Sequence, residues 1–319
     1  MWWLRLLGTV VAVGAVLLGG LALQPTGTRS VPIAESPPPP PPEPPPAPPP
    51  VGPPVLAVKV DNSPPARPPT GIGAADVVYV EPVEAGISRL VAVFGTRRPP
   101  VVGPVRSARQ TDLRLLPQFG RPALAFSGAA PELLPEIDRA PVVSASPTAV
   151  PGAFYRGPGR APHNLYVRPS RLPAGEGWSP NAALTFGPAP PGGVPTSGEV
   201  VGYRSARVGF TWSPGEQRWL VSMDGRPHVA TDSGRLAAST VVLQEVPVSD
   251  SPFQDVVGNP SPFAETVGTG RAVVLRDGAA FDGRWHRPAP ELGTTYTTPA
   301  GDPIPFAPGQ VWIVLVPAP

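Results

Sequence analysis

Residues 25–54 cannot build a hydrophobic core. Proline occupies positions 37–42, 44–46 and 48–50. Each proline fixes φ and removes a backbone donor, so the stretch suits neither a helix interior nor a central strand. Such runs adopt extended polyproline II at about 3.1 Å per residue, giving thirty residues a reach of about 90 Å. The expectation is a disordered stalk. The block holds 16 of the 54 prolines and only 2 of the 35 glycines; the remainder, though also rich in both, carries the apolar patterning of a folded chain.

Before the stalk, residues 6–23 form an unbroken run of 18 apolar or small residues preceded by Arg5. The run is long enough to span a bilayer and longer than a signal-peptide core of about 7–15 residues. Arg5 and the amino terminus predict an inside N-terminus with the rest of the chain outside. Residues 1–24 are therefore read as a single-pass transmembrane anchor contacting the membrane through 6–23. Cleavage after the small-residue pattern Gly20-Leu21-Ala22, giving a secreted protein, is the alternative. The chain has no cysteine, which excludes disulfides, thiolate metal sites, a catalytic cysteine and a lipidated cysteine. A formal charge of +2 argues against nucleic-acid binding. Lys59 is the only lysine among 25 basic residues, so an arginine gains interest only from its position.

The fold class expected is α+β, with an N-terminal mixed α/β domain over 55–186, a Pro/Gly linker over 187–202 and a small antiparallel β domain over 203–317. Residues 55–60, 77–80 and 90–94 read as strands, rich in β-branched and aromatic side chains. A strand at 123–126 and a short helix near 131–139 complete the first segment. In the second, the pairs Asp224-Gly225, Asp277-Gly278 and Asp282-Gly283 are hairpin signals, since both central residues of a type I′ turn need positive φ. Strands are expected at 240–248, 271–276 and 311–316, and Trp212 and Trp219 flank another hairpin.

The segment Gly103-Pro104-Val105-Arg106-Ser107-Ala108-Arg109 stands out. Pro104 suits a first helical turn, and apolar residues at 105, 108, 113, 115, 116 and 119 give a helical pattern. Two arginines at a helix start meet the positive end of the helix dipole, unless an anion lies there.

With these pieces in place, the exported part resembles the YerB-like family of bacterial envelope proteins. The resemblance rests on Val58-Lys59-Val60-Asp61-Asn62, Glu84-Ala85-Gly86-Ile87-Ser88-Arg89-Leu90, residues 103–109 and Pro162-His163-Asn164-Leu165-Tyr166. In the second half it rests on Asp224-Gly225-Arg226-Pro227-His228, Gly268-Thr269-Gly270-Arg271-Ala272 and Pro308-Gly309-Gln310-Val311-Trp312-Ile313. It implies an envelope protein of N- and C-terminal halves, usually lipid-anchored, without an agreed biochemical activity. Lacking a cysteine, this chain would depend on residues 6–23 instead.

The polar residues within these motifs are the candidate ligand-binding set: Asp61, Asn62, Glu84, Arg89, Arg106, Ser107, Arg109, His163 and Asn164. One reading is an internal ion-pair network in which Glu81 and Glu84 meet Arg89, Arg106 or Arg109. Another is an anion site for a phosphate or carboxylate of an anionic cell-wall polymer. A binding or scaffold module is the function expected. The competing class is an enzyme acting on such a polymer, with Glu84 or His163 as base and arginines stabilising charge. Glu81 and Glu84 would point to opposite faces of an extended chain, which argues against a glycosidase pair. His163, His228 and His286 stand apart without ligand spacing, so no metal is expected. No glycine-rich phosphate loop is present and no cofactor is expected.

Overall fold

The structure, a computed structural model, describes residues 54–176, 183–255 and 257–319. The anchor and all but the last residue of the stalk lie outside them. Among the described residues no helix is long and apolar enough to cross a membrane.

The first segment contributes β1 (Leu56–Asp61), β2 (Val77–Pro82), β3 (Ser88–Phe94), α1 (Gln110–Leu115), β4 (Ala123–Ala125), α2 (Leu134–Arg139), β5 (Val143–Ala145), β6 (Phe154–Arg156) and β7 (Leu165–Val167). Then follow β8 (Gly198–Gly202), β9 (Arg207–Ser213), β10 (Arg218–Met223), β11 (Thr240–Val246), β12 (Val248–Gln254) and β13 (Pro260–Ala264). The last are β14 (Gly268–Arg276), β15 (Ala279–Arg287), β16 (Thr295–Thr297) and β17 (Val311–Pro317).

Ten of these strands form one mixed sheet in the order β16-β15-β14-β11-β17-β2-β3-β1-β4-β5, with Val194–Pro195 as an eleventh strand on β15. The expected division into an α/β domain and an antiparallel β domain gives way here. Strand β17 lies between β2 and β11, parallel to both, with Val311 opposite Val77 on one side and Thr240 on the other. Its sequence Val-Trp-Ile-Val-Leu-Val is continuously apolar, as expected of a parallel strand buried on both faces. Residues 187–202 are likewise no free linker, because they supply the eleventh strand and β8.

Alternation sends the two sets of side chains to two cores. Val58, Val60, Val78, Val80, Leu90, Trp312 and Val314 pack with Val208, Phe210, Trp219 and Val221 of a second, five-stranded sheet built around β8, β9 and β10. On the other face, Tyr79, Val91, Val93, Ile313 and Leu315 pack with Leu115, Leu116, Phe119 and Ile137 of the helical segments. Each fully buried Val, Leu or Ile contributes about 1.5–3 kcal/mol. The Trp212–Trp219 hairpin forms as expected, with the two residues paired across β9 and β10 and ring centroids 5.1 Å apart.

The Asp-Gly signals divide by context. Asp224 and Gly225 (φ 53° and 76°) and Asp277 and Gly278 (φ 50° and 76°) make the left-handed turns expected of them. Asp282 and Gly283 instead lie within β15. A Cβ on Gly283 would sit 2.5 Å from the Thr297 carbonyl oxygen, so glycine there permits the close approach of the neighbouring chain.

The helix expected after Pro104 starts later. The Gly103–Pro104 peptide is cis, and residues 103–106 run alongside β1: Asp61 N–H donates to Pro104 O at 2.8 Å and Arg106 N–H to Lys59 O at 2.8 Å. Those backbone bonds take the segment out of the helical ladder. Helix α1 opens only at Gln110 with Arg109 as its N-cap, and residues 116–119 tighten into a 3-10 turn containing Pro117. The other end of α1 is held by Arg287 of β15, which is fully buried. It donates to the carbonyls of Arg114 and Leu115, each at 3.1 Å, a favourable place for a cation. Burial lowers its guanidinium to about 10, leaving it charged.

Candidate functional site

The candidate residues converge where β1, β2 and β3 end and residues 103–109 pass over them. Antiparallel register places Arg89 opposite both Asp61 and Glu81. Three charge clusters grow from this point.

The innermost surrounds Lys59, whose side chain is fully buried. Its Nζ donates to Glu81 and, at 2.8 Å, to Asp112 Oδ1. The other oxygen of Asp112 accepts the Arg109 N–H at 2.6 Å. Burial pushes the Glu81 carboxyl up to about 7, against the pull of Lys59 and with the help of Asp112. Its Oε1 has no partner among the described residues. A raised carboxyl favours the fold while protonated: its contribution is complete below about 4.5 and lost as pH rises through about 7. His228 titrates in the opposite sense, since burial, with Arg67 and Arg235 adding, depresses it to about 3. The comparison of the parent with Glu81→Gln isolates the carboxyl. The variant's stability relative to the parent is expected to rise by on the order of 3 kcal/mol between pH 4.5 and 8. Urea denaturation at a series of pH values measures it, and a flat difference would contradict the assignment.

The second cluster is a bidentate pair. Arg109 Nε and Nη2 donate to the two Glu84 oxygens at 2.6 and 2.9 Å, and Nη1 donates to Ala108 O at 2.9 Å. Ser261 Oγ of β13 also donates to Glu84. Burial alone would raise the Glu84 carboxyl. The hydrogen bonds and charge of Arg109, with Ser261 and Arg89, outweigh it and hold the carboxyl below its ordinary value.

The third centres on Asp61. Its Oδ1 accepts from the Ser63 amide at 3.0 Å and the Ser63 hydroxyl at 2.8 Å. Its Oδ2 accepts from His163 Nδ1 at 2.8 Å and lies 3.2 Å from Arg106 Nε. Burial opposes ionisation here too, but these partners keep the carboxyl low.

Arg89 is left over. Its side chain is 8% exposed and its nearest carboxylate contact is Glu84 at 3.8 Å, a group already engaged by Arg109. Nη1 reaches the Ser107 carbonyl at 3.4 Å, and the buried Nε has no partner among the described residues. Burial, then the charge of Arg109, lowers Arg89 to about 10, so it stays cationic at neutral pH. Arg89 lines a cleft of about 480 Å³ together with Arg106, Ser107, Arg109, Pro162 and Asp255. Asp255, at the end of the β12–β13 hairpin, has both carboxylate oxygens taken by Val257 and Asn259.

Five of the nine candidates thus share one cleft: Glu84, Arg89, Arg106, Ser107 and Arg109. Asp61 and His163 support it through Arg106. Asn62 turns toward the second sheet, donating to Ser88 Oγ at 2.9 Å and Met223 Sδ at 3.4 Å. Asn164 braces its own loop by donating to Gly157 O and Gly159 O. The helix-start explanation for the arginines does not hold. Arg106 lies on extended chain, and the N-cap amide of a six-residue helix is already bonded to Asp112. Glu81 pairs with Lys59, not with an arginine. For the Lys59–Asp112 pair the sequence offers one local signal, a lone lysine within an apolar strand. Nothing local in the sequence pointed to Ser261 or Asp255, which arrive from the second half.

Two family models match the chain: the N-terminal domain of a protein of unknown function (DUF3048) over residues 47–177, and its C-terminal domain over residues 199–313. A Bacillus subtilis (strain 168) protein named "Putative lipoprotein YerB" is 47% identical over 55 residues, 17% of each chain. The crystal structure of YerB protein from Bacillus subtilis matches with a TM-score of 0.69 at 23% identity, covering 82% of this chain and 90% of that one. At that identity the likeness establishes the fold.

Proposed function

The chain belongs to the DUF3048 family, and on that footing we propose an envelope protein, tethered outside the cytoplasm by residues 6–23, whose cleft binds an anionic group. The name of the YerB relative supports the location, and the apolar run after Arg5 offers an anchor in a chain without cysteine. The observation that carries the binding reading is Arg89. Among the described residues, this buried guanidinium, with an unpartnered Nε and a shared, distant carboxylate, lacks the counter-charge that Arg106 and Arg109 possess. A phosphate or carboxylate in the cleft would supply it through charge-assisted hydrogen bonds worth about 1.5–3 kcal/mol.

Calorimetric titration of the full chain in mild detergent with pyrophosphate tests this reading. Arg89→Leu is expected to weaken binding about 10–100-fold. Its stability should stay level or rise, because an ill-paired buried charge is replaced by apolar volume. Absence of binding by the parent, together with a severe loss of stability in the variant, would reduce Arg89 to a structural role.

A second reading, hydrolysis of the bound group, draws on one observation. His163 donates through Nδ1 to Asp61, an arrangement that leaves Nε2 as the basic nitrogen. Glu84 suits the base role less well, since both its oxygens are held by Arg109. Phosphodiester turnover abolished by His163→Gln would favour this reading.

A further inference from the structure

We infer that the ligand is a polymer with repeated anionic groups, held at a second point outside the cleft by Arg156 and Arg160. This rests on the anion-binding reading of the cleft. Within the motif at residues 162–166, neither His163 nor Asn164 lines the cleft. Both instead fix the loop between β6 and β7.

That loop belongs to an unusually one-sided stretch. Residues 140–175 hold Arg156, Arg160, Arg168 and Arg171 and no Asp or Glu, whereas the whole chain has 25 basic and 23 acidic residues. Arg156, Arg160 and Arg171 are exposed. None of the four joins an ion pair among the described residues. Four uncompensated charges repel one another, and a polyanion relieves that cost.

The loop is also built to hold its charges in place. Asn164 Oδ1 accepts from Arg156 Nη1 at 3.0 Å, while Asn164 Nδ2 donates to Gly157 O at 3.1 Å and Gly159 O at 2.9 Å. His163 ties the loop to Asp61 at 2.8 Å, and Asp61 meets Arg106 at the cleft. Tyr155 and Tyr166 stack across β6 and β7 at 5.9 Å, with Arg168 over the Tyr155 ring at 4.0 Å. Pro162 of the same loop lines the cleft, and its carbonyl oxygen lies 3.5 Å from Arg156 Nη1. An anionic chain leaving the cleft past Pro162 therefore meets Arg156, with Arg160 exposed four residues further along the same loop. A bilayer surface would meet only the exposed arginines, because Arg89 is buried inside the cleft.

The test compares pyrophosphate with long-chain polyphosphate on the full chain, affinity being counted per phosphate unit to remove the statistical gain of length. The polymer is expected to bind about tenfold tighter, through the effective concentration of its second contact, with a steeper salt dependence. Arg160→Glu should remove most of that gain and leave pyrophosphate binding unchanged; its exposed side chain makes no hydrogen bond among the described residues. Arg156→Gln should act in the same direction. Pyrophosphate binding without a polymer gain, or a gain unaffected by Arg160→Glu, would overturn the inference while leaving the cleft reading intact. Preference for phosphatidylglycerol vesicles over polyphosphate would overturn it as well. Failure of pyrophosphate to bind the parent is the separate failure of the cleft itself.

Discussion

Replacing Lys59 with methionine is expected to destabilise the fold by about 3–5 kcal/mol, the cost of leaving buried charge uncompensated. Among the described residues Lys59 is the sole cation bonded to Glu81, and its second bond goes to a fully buried Asp112. Without it, Glu81 has neither oxygen satisfied among the described residues, since Oε1 already lacks a partner there. Asp112 keeps only the Arg109 amide at 2.6 Å. Methionine fills much of the same volume, so the loss reports charge more than cavity. Urea denaturation of the two proteins at neutral pH measures it. The double variant Lys59→Met/Glu81→Gln should recover a large part of the loss, because Glu81, already raised to about 7 beside Lys59, no longer has to take up a proton to stay buried without it. A deficit equal to the sum of the single effects would show that the residues do not act as a pair.

Trp312→Ala should cost a comparable amount, about 3–5 kcal/mol, as a large aromatic is removed from a packed interior. Trp312 is fully buried in β17, edge-on to Phe210 with centroids 6.1 Å apart and to His228 at 6.3 Å. Its Nε1 donates to Gln310 Oε1 at 2.9 Å, and Gln310 Nε2 in turn donates to the carbonyls of Ile72 and Ala75. The substitution therefore opens a cavity and strands a buried acceptor. Since β17 hydrogen-bonds with strands of both halves, the parent and the variant should each unfold in one transition, read identically by tryptophan fluorescence and far-ultraviolet circular dichroism. Separate transitions for the two halves would contradict the shared sheet.

Local pattern carried much of the fold. Strands rich in Val, Leu and Phe announce themselves by composition, and two of the three Asp-Gly pairs turn as their positive φ requires. Pairing over long sequence distances was hidden. No local rule says that residues 311–317 enter between β2 and β11, and that insertion converts two expected domains into one sheet. The site follows the same division. Its arginines and Glu84 were legible because they cluster in short motifs beside strand ends. Their division of labour was not, because it depends on Ser261 arriving from the second half and on backbone bonds to β1 that postpone α1 until Gln110. Asn62 shows the limit most clearly: it belongs to the same motif as Asp61, yet its side chain faces the opposite sheet.

The position of β17 has a consequence for how such a chain reaches its native state. Strand β2 needs a neighbour that is synthesised only after residues 83–310, so one apolar rim stays open while nearly everything between them emerges. An open rim of that kind invites pairing with other copies of the chain. The period before β17 docks is therefore the interval of greatest vulnerability to misassembly. A holding factor that shields β2 would matter most during those moments, and lesions in β17 should send molecules to degradation before any ligand is met.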